Sequence, residues 1–174
     1  MARGQLPPYI EALLSPSAYP HPARRVEFVQ AHISYVLLAG DYVYKVKKPV
    51  DLGFLDYSTL EKRRFYCEEE VRLNRRLCPE AYLGVVPITS KGESVALAGT
   101  GEVVEYAVKM KRLPQERMME VLLEKDTVTS DMLTALTGKL AAFHRSSERS
   151  GHIDSFGSEE TIRGNWQENF GQTD

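Results

Sequence analysis

Lys45, Lys47 and Glu70 are the residues of this chain whose types and spacing point most directly to chemistry. "YVYKVKKPV" (Tyr42 to Val50) alternates as a strand does, and period-two alternation puts Lys45 and Lys47 on one face. Two ammonium groups pointing the same way mark either a wet face or a site that wants positive charge. On the helix that follows, Tyr66, Glu70, Leu73 and Leu77 fall on one stripe, so Glu70 sits within the expected buried face. A buried, unpaired carboxylate is costly, so Glu70 needs a cation or a proton. The preceding strand supplies two candidate partners, Lys45 and Lys47, with Lys45 read as lying deeper and Lys47 and Lys48 as approaching the strand end at Pro49. Glu69, beside Phe65 and Arg72, and Glu68 are read as solvated. A wet strand edge facing a solvated "EEE" accounts for the same residues, and the order of elements must decide between the two.

That order begins with a short helix over Pro8 to Leu14 and a proline-rich linker, Ser15 to Pro22. "VEFVQ" and "YVLLA" read as strands around the bend "AHIS", and Gly40-Asp41 turns the chain into the lysine strand. Ser58 and Glu61 fit a capping box opening a long helix that should reach about Leu77, ahead of Pro79. "GVVPIT" and "SVALAG" follow as strands about the turn "KGE". In "VVEYAVKMKRL", Val104, Tyr106, Val108 and Met110 face one way, and Glu105, Lys109 and Lys111 the other. From Pro114 the pattern turns helical, with Thr129 or Ser130 capping a helix that carries Leu133, Leu136, Leu140 and Phe143. The Ser-, Gly- and Glu-rich residues after Ser146 hold no core of their own.

The 174 residues suit one domain or one domain with an appended piece, and 43% hydrophobic with 26% charged content is ordinary for a globular protein. A net charge of -2 gives no signal for nucleic acid or a membrane surface. Cys67 and Cys78 match no disulfide scaffold or metal spacing, and no apolar run is long enough for a signal peptide or a span, so a reduced, cytoplasmic setting is expected.

Strand, bend, strand, turn, lysine strand, glutamate helix and further strands is the order of a protein-kinase-like small lobe, in which a strand lysine pairs with a helix glutamate at the nucleotide phosphates. "HISYVLLAGDYVYKVKKPVDLGFLDYSTLEKRR", "CEEEVRLNRRLCPEAYLGVVPI", "VEYAVKMKRLP" and "LAAFHRSS" closely resemble the aminoglycoside-phosphotransferase-like kinase domain of bacterial proteins that join it to a C-terminal P-loop ATPase domain. The resemblance implies an α+β fold: a kinase-like small lobe of a five-stranded antiparallel sheet with a long helix (26–113), preceded by a helix and linker (1–25) and followed by the first helices of an incomplete large lobe (114–174). It implies ATP as cofactor, with magnesium in the complete protein. Lys45 would contact the phosphates with Glu70 as its partner, and Ser34 and the amides around His32 would stand in for a glycine-rich loop. Met110 would flank the adenine, with Lys111 to Leu113 as the hinge. His144 matches a recurring histidine and is read as structural.

Phosphoryl transfer also needs an aspartate beside the acceptor hydroxyl and ligands for magnesium. Relatives carry these in H-G-D-x-x-x-x-N and a later Asp motif. "HIDSFGSEE" has His152 and Asp154 but Ile153 for glycine and Glu159 for asparagine, and comes too soon after the His144 helix, so no catalytic or metal residue is assigned. The expectation is the nucleotide-binding part of a small-molecule kinase, inactive alone, with an unknown acceptor. The alternative is a non-catalytic interaction module that reuses the lobe. Homo-oligomerisation through the uncovered "MMEVLL" and "LTALTGKLAAF" faces is a further expectation, with no nucleic-acid or membrane partner.

Overall fold

All of the alternating runs pair. In the computed structural model, which describes residues 6–171, β1 (Val26–Gln30), β2 (Ser34–Ala39) and β3 (Tyr42–Lys47) form an antiparallel meander. β6 (Glu102–Lys111) lies against β3, β4 (Tyr82–Lys91) against β6, and β5 (Ser94–Leu97) against β4. The α+β class is as expected, but the sheet has six strands rather than five, in the order β1-β2-β3-β6-β4-β5. Six matches the runs read as strands and exceeds the five that the resemblance implies; the short β5 is brought back onto β4 by Gly92 at φ +63°. The β2–β3 turn uses Gly40 at φ +57°, and a Cβ there would stand 2.7 Å from the Pro22 carbonyl oxygen, so glycine answers two demands at once.

The proline-rich stretch is not a linker. α1 (Pro8–Ala12) and a 3-10 turn at Pro16–Ala18 cover one face of the sheet, burying Ile10, Leu13, Ala18 and Tyr19 against Tyr35, Leu37, Ala39, Tyr44, Val46 and Ala107. The Tyr19 hydroxyl donates to the Leu13 carbonyl at 2.8 Å, tying turn to helix. Apolar side chains between the prolines outweigh the loop composition, because the sheet offers them a face to cover.

α2 (Leu60–Asn74) covers the other face, with Cys67 and Val71 against Val108 and the half-buried Tyr82, Val85, Tyr106 and Met110. It starts one residue later than expected. Asp56 accepts from both the amide and the hydroxyl of Ser58, so Thr59 becomes the cap and accepts from the Lys62 amide at 3.2 Å. It also ends before Leu77, at Asn74, where the Asn74 side-chain amide donates to the Glu70 carbonyl and the Arg75 guanidinium donates to the carbonyls of Tyr82 and Leu83. The buried stripe runs Arg63, Cys67, Val71 rather than through Leu73, which is 45% exposed.

The sheet, α1, α2, a 3-10 turn at Gln115–Arg117 and α3 (Met119–Glu124) form one unit that ends at Thr127, beyond the boundary expected at Pro114. The second unit holds α4 (Ser130–Arg145), α5 (Gly151–Ser155) and α6 (Glu159–Gly171). Thr129 caps α4 by accepting from the Met132 amide. The polar tail is helical, and no described residue of these three helices is buried, in keeping with a segment that holds no core of its own. No helix among the described residues is long and apolar enough to cross a membrane.

Candidate functional site

β3 carries Lys45 opposite Val36 of β2 and Val108 of β6, and Lys47 opposite Ser34. Because Val108 packs under α2, this shared face is the one that α2 covers. The two ammonium groups converge on one carboxylate: Lys45 Nζ donates to Glu70 Oε1 at 2.9 Å and Lys47 Nζ to Glu70 Oε2 at 2.7 Å. Each cation holds a different oxygen. The wet-edge reading fails here, since the Glu70 side chain is only 13% exposed.

The depth of the two lysines is the reverse of the expectation. The Lys47 side chain is 4% exposed and that of Lys45 33%. The cause is the chain after Pro49. It folds back through an Asp51–Asp56 bridge and a hydrogen bond from the Tyr57 amide to the Val50 carbonyl, placing the buried Tyr57 ring 4.9 Å from Lys47 Nζ. A cation over an aromatic face gains from the ring quadrupole. Lys48 points away, donating to the Ala31 carbonyl near the Tyr35 ring. Glu69 pairs with Arg72 and Glu68 with Arg64, both toward solvent as expected.

Burial alone would push the Glu70 carboxyl up, but the hydrogen bond and charge of Lys47, then those of Lys45, outweigh it and hold the group below the usual carboxylate range. Burial likewise pulls the Lys47 ammonium down, and Glu70 more than restores it, leaving it above its ordinary value. The trio carries one positive charge more than it neutralises. Burial pushes the neighbouring Cys67 thiol up to about 12, so it stays protonated and unreactive.

The remaining predicted residues are spread along the same face and the end of the sheet. Val36, Leu38, Val43 and Met110 are half-buried and share the Lys45 face by register, an apolar strip running from the lysine toward Arg112. Met110 also packs under α2. Lys111 and Leu113 are exposed and line a cleft of about 700 Å³ with Asp41, Tyr42, Leu83 and Arg112; Lys45 and Glu70 are not among its walls. Of the three hinge amides, Lys111 N–H donates to the Ala81 carbonyl and Arg112 N–H to that of Asp41. Leu113 N–H has no hydrogen-bond partner among the described residues and is the donor left for a ligand. Ser34, expected at the phosphates, is instead 1% exposed at the start of β2, and its hydroxyl lacks a partner among the described residues.

A surplus cation reachable from solvent beside an apolar strip can receive an anionic group carried on an apolar body. Among the described residues no group of three or more His, Cys, Asp or Glu is placed to hold a metal ion. His152 and Asp154 lie in α5 and Glu159 opens α6, while His144 is exposed on α4.

A second buried ion pair escaped the reading. Glu105, assigned with Lys109 and Lys111 to a polar face, is fully buried beyond the last β3 pairing, Val46 with Ala107. Arg63 Nε donates to its Oε2 at 2.7 Å and the Tyr106 amide to its Oε1 at 2.9 Å, while Arg63 also donates to the Tyr57 and Ser58 carbonyls. Burial raises the Glu105 carboxyl, only partly offset by the Tyr106 amide and Arg63. The signal was available: an acid in mid-strand between Val104 and Tyr106 raises the same question as Glu70. Tyr57 joins the two pairs, its ring over Lys47 and its carbonyl on Arg63. Glu27 of β1 also meets Arg112, 3.2 Å away, at the end of the apolar strip.

No protein-family model matches the chain, and no solved structure matches it. Three relatives are uncharacterised proteins, two from strains of Mycobacterium tuberculosis and one from Mycobacterium bovis, each 30% identical over 155 residues. The matched region is 87% of this chain but 30% of each relative, so the chain spans under a third of the length of the curated relatives it matches.

Proposed function

We propose that this chain is the nucleotide-binding lobe of an ATP-dependent small-molecule phosphotransferase of the kinase-like, aminoglycoside-phosphotransferase type. One observation carries the reading: a strand lysine and a helix glutamate, 25 residues apart in sequence, meet at 2.9 Å with the lysine still reachable from solvent. In that reading Lys45 neutralises the phosphates, the Val36–Leu38–Val43–Met110 strip receives the base, and Leu113 N–H reads its edge. Magnesium and the aspartate that orients the acceptor would come from residues outside this chain, so the lobe binds nucleotide without transferring phosphate.

Thermal unfolding with and without ATP tests this. A ligand that binds only the folded state at 100 times its dissociation constant stabilises it by about 2.7 kcal/mol. The wild type and Lys48→Ala are expected to gain a clear rise in melting temperature from millimolar ATP, and Lys45→Ala none. An unresponsive wild type, or equal responses from Lys45→Ala and Lys48→Ala, would refute the assignment. The competing reading, a non-catalytic interaction module, draws on the exposed apolar side chains of the second unit, Leu136, Leu140 and Trp166 among them. It predicts no nucleotide response at all.

A further inference from the structure

We propose that Lys47 is a positioning residue that anchors Glu70 permanently, so that Lys45 can leave Glu70 for an anionic phosphate group; the exchange half of this proposal rests on the nucleotide reading above. The geometry divides one carboxylate between two cations, Lys45 on Oε1 and Lys47 on Oε2, so either can depart without breaking the other's hydrogen bond. Burial makes the division unequal. At 33% exposure Lys45 is open to a ligand, whereas at 4% Lys47 is sealed beneath the Tyr57 ring.

With a single lysine, each transfer of that lysine to a phosphate would strand a largely buried carboxylate without a counter-charge, which is strongly disfavoured. Lys47 removes that obstacle. Among the described residues nothing else around the carboxylate can. Cys67 on α2 is a neutral thiol, Tyr57 and Tyr82 are phenols, and Arg63, the other buried cation among the described residues, is committed to Glu105. The Asn74 side-chain amide, on the Glu70 carbonyl, fixes the helix turn rather than the carboxylate. A second lysine two residues along the strand therefore does what a lone strand lysine cannot: it keeps the helix acid paired while the first lysine works.

Nuclear magnetic resonance on the wild-type chain, with ¹⁵N-labelled lysine and ¹³C-carboxyl-labelled glutamate, reads the exchange directly. Added ADP or inorganic pyrophosphate is expected to shift the Lys45 Nζ signal, and with it the Glu70 carboxyl signal that Lys45 leaves, while the Lys47 Nζ signal stays in place. In Lys45→Met, the Glu70 titration should move upward less than in Lys47→Met, because Lys47 lowers it more than Lys45 does, while ADP affinity falls at least tenfold. In Lys47→Met its titration should move upward, and Lys47→Arg should return it. The anchor is overturned if Lys45→Met raises the Glu70 titration as much as Lys47→Met does, or if ADP shifts Lys47 rather than Lys45 in the wild type. A wild type that binds neither probe overturns the exchange and the nucleotide reading together, and the carboxyl titration still decides the anchor by itself.

Discussion

Replacing Glu70 with alanine is the most direct test of the buried trio. The change leaves the Lys47 ammonium, 4% exposed, with the Tyr57 ring as its remaining close partner, while Lys45, already a third exposed, can turn to water. Removing one partner of a buried ion pair costs about 3–5 kcal/mol, and nothing need be added for Lys45. That is a large share of the ~5–15 kcal/mol that holds a domain folded. With a urea slope of about 2 kcal/mol/M, the unfolding midpoint should fall by roughly 1.5–2.5 M. Circular dichroism during urea titration measures it, with Glu69→Ala as control, because Glu69 pairs with Arg72 in solvent and its loss should leave the midpoint in place. The pH dependence has a definite sign. The Glu70 carboxyl titrates lower in the folded than in the unfolded chain, so its contribution is complete above about pH 4.3 and is lost as pH falls through the folded value. The gap between wild type and Glu70→Ala should thus be full at pH 7 and narrow on acidification below about pH 4. A Glu70→Ala shift under about 0.5 M in urea, or a larger effect from Glu69→Ala, would refute the register of α2 and the trio with it.

Two further changes probe the frame around the site. Arg63→Met should destabilise by about 3 kcal/mol by leaving Glu105 buried and unpaired, and the double change Arg63→Met with Glu105→Leu should recover at least half of that in the same titration, since an apolar pair can replace a buried ion pair at little cost. A double variant less stable than Arg63→Met would mean that the hydrogen bonds to Tyr57, Ser58 and Tyr106 matter more than the charges. Gly40→Ala should cost about 2 kcal/mol or more, from the left-handed backbone and the 2.7 Å approach to the Pro22 carbonyl, whereas Gly53→Ala, at φ +80° with nothing within 4 Å, should cost less; equal melting points would refute the close approach.

The elements were legible because they depend on local pattern. Alternation located the strands, and the Gly40 and Gly92 turns set the hairpins, since only a few residues accept a left-handed backbone. The pairing of Lys45 with Glu70 was legible too, because an acid on a mostly buried helix face must find a cation and the preceding strand offered one. The α2 face was read one position off, for the leucines at 73 and 77 outweighed Arg63 and Cys67 in any hydrophobic pattern, and the need to neutralise Glu105 brought Arg63 inward instead.

By itself, then, the amino-acid order settled where the chain extends, turns and coils, and that Glu70 needs a positive neighbour. Only the tertiary structure decided which lysine is sealed in, because that follows from residues 50–57 folding back over the end of β3, a contact with no local signature. It likewise decided that the proline-rich segment is core and that Glu105 is internal. Burial depends on what the rest of the chain brings to a face, and spacing along one element carries no information about the element that will cover it.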